Sequence, residues 1–410
     1  MKSDPQYGDM PDWYRGLKTH RFGDYFGSLA SLGENETYLT HDRMYIVHRD
    51  EEGKISVKRN ACIHAGAPLL DKVGVQDIER IVCPIHKWTY SPKGTLVGAP
   101  HFENCKGLHE LDAPDFGIWN GYILGYKQDE LDAVLRDFGS TLSLPPSALD
   151  PQGFVYMGED VYELPYPREL MMVNYFDGYH VPLYHQKTFA AVADCESYEW
   201  ELSLCKENHR PSYSIQQVRS RKDVQKQLDR LMSEYHCDAE VIGWADFHLW
   251  LRNTLPGIKT PIDANIFAVW TSIYGNGHVM PELYEGGLFL AVSYLVNVDP
   301  KKPEGGDINL VEFLSGENTS DVVQKPKAGN VNLVEYYVHK SIPEKYRAMA
   351  LRRFKRAYSQ SAREDDEICI KLWEAHQLGN MHFPRIYHET LEAGDIHWRK
   401  WFMEKFVLSL

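Results

Sequence analysis

Between Tyr38 and about Tyr126, apolar and β-branched residues fall in short runs: Met44–His48, Lys54–Lys58, Arg80–Cys83, Gly94–Gly98 and Trp119–Gly125. Runs of that kind closed by turn formers read as strands, so this stretch is expected to be a small all-β unit. Leu131 to Phe138 reads as a short helix, and Pro145-Pro146 marks a break after it. From Gln216 to Ala239, Val224, Leu228, Leu231, Met232 and Tyr235 recur at helical spacing with charges between them, which predicts a surface helix laying an apolar stripe on a core. Phe267–Tyr274 and Leu288–Val298 are nearly continuous apolar runs and read as buried strands. Ser341-Ile342-Pro343-Glu344 combines an N-cap, a proline suited to a first turn and a capping-box glutamate. A long helical region is expected from there towards Gln377, interrupted near Ser359.

A chain of 410 residues exceeds what one core fills, so more than one domain is expected. The pattern divides it into an N-terminal segment, 1–35, whose Trp13, Tyr14, Phe22, Tyr25 and Phe26 pack on a larger body; the β-rich unit, 36–130; and a larger domain, 131–410. The composition, 43% hydrophobic and 25% charged, is that of an ordinary globular protein. No apolar run reaches the roughly 20 residues of a membrane span, and no apolar signal segment follows Met1. A net charge of −14 opposes nucleic acid or an anionic membrane as partner. Cys105, Cys195, Cys205, Cys237 and Cys369 are scattered without a disulfide framework, so a reducing cytoplasm is the expected compartment.

The densest chemistry is Cys62-Ile63-His64 and Cys83-Pro84-Ile85-His86. Either pair alone should arise by chance about 0.3 times in this composition. Both, in order and within a short span, read as one metal site. Gly66, Pro68 and Pro84 put each pair at a loop tip where side chains converge. Tetrahedral zinc accepts two Cys and two His, but its usual spacing pairs Cys with Cys and His with His. Here each loop supplies one of each, which lets one iron take both sulfurs and a second iron both imidazoles, the Rieske arrangement of a two-iron, two-sulfur cluster.

Such a cluster carries electrons and needs a destination. His180 and His185, with the acid Asp177 three positions before the first, supply the two imidazoles of a two-His, one-carboxylate Fe(II) site, whose carboxylate must come from elsewhere in the chain. Residues five apart on a regular helix diverge by about 140°, so both rings reach one ion only if the helix is distorted, and Pro182 between them is placed to do that. No Gly-x-Gly-x-x-Gly turn after a strand marks a flavin or nicotinamide site, so the reductant must come from another protein.

The segments Cys62–Leu69 and Cys83–Tyr90 resemble the Rieske motif of the Rieske non-haem iron oxygenases, although Ala65 and Lys87 stand where family members often carry Arg or Lys and Gly. Asp177–His185 resembles the family's Asp-x-x-His-x4-His segment, and Arg363–Cys369 its Glu-Asp-x-x-Ile-Cys segment. The resemblance implies Cys62, His64, Cys83 and His86 as cluster ligands, and His180, His185 and Asp365 as ligands of a mononuclear Fe(II). It implies Asp177 as the acid linking an iron ligand to a cluster His of the neighbouring subunit. Helical faces separate Asp365 from Asp366 poorly, since Asp365 shares a stripe with Ile368, Cys369 and Leu372 and Asp366 with Ile370 and Trp373. Glu364 and Glu367 read as a solvated face.

The implied architecture is α+β, an all-β Rieske domain set into a larger helix-grip-like catalytic domain with an antiparallel sheet, assembled as a homotrimer. The implied activity is that of a terminal oxygenase of the single-component type. It would use O2 on a small organic substrate, aromatic or amine, with electrons from NAD(P)H through a ferredoxin or flavin reductase. The competing expectation is a Rieske electron carrier without oxygenase activity. The interval from His185 to Asp365 implies an insertion around 200–260. Trp200, Trp244, Phe247, Trp250, Trp270 and Tyr274 are candidates to line a substrate pocket.

Overall fold

The computed structural model describes residues 25–102, 107, 109–166, 168–203, 212–235, 243–274, 279–297 and 330–377. Trp13, Tyr14, Phe22, Cys105, Cys205 and Cys237 lie outside them, as do His382, His388 and His397.

Among the described residues, ten short strands build the N-terminal part. β2 (Glu36–Leu39), β3 (Tyr45–Arg49), β4 (Ile55–Arg59) and β5 (Gly74–Asp77) form one antiparallel sheet in the order β4-β3-β2-β5. β6 (Ile81–Val82), β7 (Thr89–Tyr90) and β8 (Leu96–Gly98) form a second. β1 (Tyr25–Ser28) pairs with β10 (Tyr122–Leu124), and β10 with β9 (Gly117–Trp119). The expected single strand Trp119–Gly125 is therefore two. Asn120 and Gly121 both have positive φ, 50° and 79°, and this Asn-Gly pair turns the chain into a hairpin, the turn chemistry that hairpins favour.

The larger part is organised by a seven-stranded antiparallel sheet. Its strands are β11 (Phe154–Glu163), β12 (Glu199–Ser203), β13 (Ser212–Arg219), β14 (Ile266–Tyr274), β15 (Val279–Tyr284), β16 (Phe289–Asn297) and β17 (Asn330–His339), in the order β11-β17-β16-β15-β14-β13-β12. The described α-helices are α1 (Gln128–Val134), α2 (Arg168–Phe176), α3 (Val181–Tyr184), α4 (Val224–Tyr235), α5 (Gly243–Thr254) and α6 (Glu344–Gln377). The helix expected over 216–239 begins only with α4 at Val224, because Gln216–Arg219 belong to β13 and pair with β14; residues 236–239 lie outside the described residues. Val224 and Leu231 are buried on α4, while Met232 is exposed.

Side chains alternate across a strand, so this sheet buries both faces. On one, Phe289, Ala291, Val334 and Tyr336 meet Ala350, Phe354, Ala357 and Tyr358 of α6 and Trp244 and Phe247 of α5. The α6 residues recur at helical spacing, and burying a side chain such as Phe354 contributes about 2–3 kcal/mol. The stripe is continuous, and α6 runs through Ser359 without a break. Ser341 does not cap it: its hydroxyl bonds His339 Nδ1 at 2.8 Å, and the helix starts at Glu344. Farther along, Cys369 and Trp373 pack on Leu170, Met172 and Phe176 of α2.

The opposite face, through Leu290, Val292, Leu333 and Tyr337, meets Tyr25, Tyr122 and Leu124 of the N-terminal strands. There the Tyr25 and Tyr337 hydroxyls donate to buried Glu335 at 2.9 and 2.6 Å, joining the two parts; burial pushes this carboxyl up to about 7. Among the described residues no helix is long and apolar enough to cross a membrane.

Candidate metal centres and substrate cavity

The two Cys-x(1–2)-His loops have the same backbone. The Cys62 N–H donates to the Ala67 carbonyl at 2.8 Å and the Gly66 N–H to the Cys62 carbonyl at 2.7 Å; Cys83 repeats this with Trp88 at 2.8 Å and Lys87 at 3.1 Å. The residue four after each Cys is left-handed, Gly66 at φ +73° and Lys87 at φ 59°. That conformation is free for glycine and costly for lysine.

These loops bury Cys62 and Cys83 in a core with Leu39, Ile81 and Trp88 and leave His64 and His86 exposed. The two Nδ1 atoms stand 3.2 Å apart, and the Trp88 ring stacks on His64 at 4.9 Å. Burial pushes the Cys83 thiol up, but the backbone N–H groups of His86 and Ile85, the neighbouring Cys62 and the charge of Lys87 outweigh it, and it lies below its ordinary value. The Tyr90 hydroxyl is 3.1 Å from Cys62 Sγ, placed to donate to a thiolate. Two sheltered sulfurs receiving donors and two converging imidazoles fit the donor set of a Rieske cluster.

The second group forms where helix α2 stops. Residues 177–180 leave the helix, the Tyr179 and His180 N–H groups approach Asp177 Oδ1 at 2.8 and 3.3 Å, and His180 caps the four-residue α3 that His185 closes. The two rings are thus aimed by a break before α3; Pro182 sits inside its first turn rather than kinking a longer helix. His180 Nε2 and His185 Nε2 lie 3.1 Å apart, and Asp365 Oδ1 of α6 is 3.3 Å from the first and 3.0 Å from the second. Asp366 turns away and accepts from the Tyr166 hydroxyl.

Each of the three has a second partner. Asn174 Nδ2 donates to Asp365 Oδ1 at 2.7 Å, Glu364 Oε2 is 2.6 Å from His185 Nδ1, and Asp177 Oδ2 is 3.4 Å from His180 Nδ1. Thr188 holds Glu364 through a 2.5 Å hydrogen bond. Glu364, expected on a solvated face, is in fact an orienting group. Burial pushes the His185 imidazole down, but Asp365 and Glu364 outweigh it and carry it up to about 10. Against burial, Asp177 and Asp365 raise His180, and His185 and His180 lower Asp365. A site that draws protons onto two imidazoles in this way attracts cations, and two imidazoles with one carboxylate suit Fe(II).

A cavity opens beside this triad. Asn174, Asp177, His180, His185 and Asp365 border it, together with Phe189, Tyr198, Gln216, Trp244, Trp270, Glu282, Tyr284 and Asn332. Of the aromatic residues expected there, Trp244 and Trp270 line it, while Phe247 is fully buried core and Trp250 lies under the Arg353 guanidinium. The side chain of Tyr274 is outside the description. Sequence reasoning missed Glu282, Tyr284, Gln216 and Asn332; alternation along β13, β15 and β17 assigns each to a face but does not say which face holds the cavity.

Residues 27–112 match the Rieske [2Fe-2S] domain family. Putrescine 2-hydroxylase of Ralstonia nicotianae is 25% identical over 378 residues, 91% of this chain and 85% of that protein. The quaternary ammonium Rieske monooxygenase CntA shares the fold at a TM-score of 0.60 and 14% identity, covering 94% of this chain and 89% of its own. Naphthalene 1,2-dioxygenase from Rhodococcus sp. does so at 0.59 and 15%, covering 98% and 93%. The chain thus carries a Rieske [2Fe-2S] domain and, over most of its length, the fold of these solved monooxygenase and dioxygenase chains, together with a buried two-His, one-carboxylate donor set.

Proposed function

We propose that this chain is a terminal oxygenase, which takes electrons from a separate reductase and uses O2 to hydroxylate, dioxygenate or oxidatively demethylate a small organic substrate, aromatic or amine. The observation that carries this is the convergence of His180, His185 and Asp365 on a cavity in a chain that also has a Rieske domain. A Rieske electron carrier needs neither the triad nor the cavity.

In this reading Cys62, His64, Cys83 and His86 hold the cluster, and His180, His185 and Asp365 hold Fe(II). Bound there, the cluster supplies single electrons at a raised potential, and Fe(II) supplies open positions for O2 activation. The protein's own part is positional. Glu364 accepts a hydrogen bond from His185 Nδ1–H, which turns the Nε2 lone pair towards the metal position; Asn174 orients Asp365; the aromatic wall keeps bulk water from the reacting carbon. Asp177 holds His180 and, in a head-to-tail homotrimer, links it to a cluster His of the next subunit. The larger domain is inferred to be of the helix-grip type, with α6 held against the antiparallel sheet. The protein is placed in the cytoplasm, and a ferredoxin or flavin reductase drawing on NAD(P)H is the inferred partner.

Counting metals tests the reading. About three irons and two acid-labile sulfides per chain are expected. About two irons, with no substrate-dependent O2 uptake under reduction, would leave only the electron carrier.

A further inference from the structure

Glu282 lies within β15, is 1% exposed and borders the cavity. Its Oε2 accepts from the Tyr284 hydroxyl at 2.6 Å and its Oε1 from the Tyr358 hydroxyl at 3.1 Å. Each oxygen has further acceptor capacity, because a carboxylate takes about four hydrogen bonds. Among the described residues no Arg, Lys or His forms an ion pair with it. Glu285, three positions on and 0% exposed, is settled by cations, His248 Nδ1 at 2.8 Å and Arg252 at 3.4 Å; Glu335 is held, like Glu282, by two tyrosine hydroxyls, but unlike Glu282 it does not line this cavity.

A buried carboxylate without a cation is costly, and here burial pushes it up to about 7 in spite of its tyrosine donors. The tyrosines leave the charge uncompensated, whereas a positively charged ligand would remove that cost. The walls suit such a ligand. Trp270 Nε1 donates to the Tyr284 hydroxyl at 3.1 Å, which continues the chain to Glu282, and Tyr198 lies nearly parallel to the Trp270 ring at 6.4 Å. Aromatic faces attract ammonium groups through their quadrupoles. A neutral hydrocarbon in the same cavity would shut the carboxylate off from water and offer it nothing.

We propose that Glu282 is the recognition group for a substrate carrying an alkylammonium cation, held beside Trp270 and Tyr284 in the cavity that His180, His185 and Asp365 share. This rests on the oxygenase reading and narrows its substrate to the amine class. Glu282 is then a specificity-determining residue, and the cation it holds sets which carbon faces the triad.

Metal-replete wild type and Glu282→Gln are titrated calorimetrically with putrescine and choline, with the matching diol and the carbon isostere of choline, and with naphthalene. Iron and labile sulfide are counted in the same samples. Glutamine keeps an oxygen for a tyrosine hydroxyl, and selectivity of the wild type for charge is a second measurement that needs no variant. The expected result is that at least one amine binds about tenfold or more tighter than its uncharged counterpart, and that Glu282→Gln weakens it about 30-fold or more while leaving uncharged ligands unchanged. Amine binding no tighter than that of the uncharged counterparts, or full amine affinity in Glu282→Gln, overturns the proposal. A three-iron protein indifferent to charge sinks this proposal alone; a two-iron protein whose amine affinity depends on Glu282 sinks the oxygenase reading alone.

Discussion

The two donor sets of this chain are built in opposite ways. His64 and His86 stand exposed at the tips of two loops with the same hydrogen-bond pattern, and all four donors come from within 25 residues. His185 is 3% exposed, its partner carboxylate comes from a helix 180 residues later, and each donor is braced by another side chain. An exposed imidazole edge suits a group that must exchange electrons with another protein or subunit. A buried and braced triad suits a site that must exclude water and hold its ligands still while a substrate reacts. The lesson is that exposure, as much as ligand type, separates the role of carrier from that of reaction centre.

The largest break in that comparison should come from Asp365. Asp365→Ala is expected to lose about one iron per chain and to lower coupled oxygenation roughly a thousand-fold or more, while the visible absorption of the cluster persists. Asp366→Asn, which removes only the partner of Tyr166, should keep its iron. Next comes the link between the centres. Asp177→Asn should retain both metals by iron analysis and reduce turnover roughly 100-fold. Unimpaired turnover in that variant would remove Asp177 from the electron path.

On the carrier side the effects are smaller. Tyr90→Phe deletes a donor to Cys62 Sγ, and a hydrogen bond that favours the reduced cluster by about 1 kcal/mol raises a one-electron potential by about 40 mV. The potential measured by spectroelectrochemistry should fall by about that amount, with O2 chemistry at the triad intact. Smallest of all, Lys87→Gly should relieve the left-handed strain and raise stability by about 0.5 kcal/mol in calorimetric melts, bringing the second loop to parity with the first.

Legibility in the sequence followed the same division. The cluster loops could be read because their donors are contiguous and punctuated by Gly and Pro. The acid of the second site could not be settled, since Asp365 and Asp366 both head apolar stripes, and Cys369 of the one and Trp373 of the other are both buried on α2; what separates them is that Asp365 Oδ1 lies 3.3 and 3.0 Å from the two histidines while Asp366 accepts from Tyr166. Glu364 reads as one more charge in an acidic run, and only its 2.6 Å approach to His185 reveals its role. Gln216 was drawn into a neighbouring helix because the alternation of its own strand, β13, which runs through Tyr213 and Ile215, breaks at Gln216-Gln217. Glu282 was invisible for a simpler reason: a single acid in an apolar strand does not disclose what it faces.

The central claim, that electrons leave the exposed centre for the buried one to activate O2 on a substrate, is tested most directly by a single turnover. Protein reduced chemically and freed of reductant is mixed with isotopically labelled O2 and an amine substrate, and the cluster absorption is followed. The account predicts prompt reoxidation of the cluster with labelled oxygen in an organic product, and neither in Asp365→Ala. Reoxidation at the same rate in wild type and Asp365→Ala, with no labelled product, would contradict it.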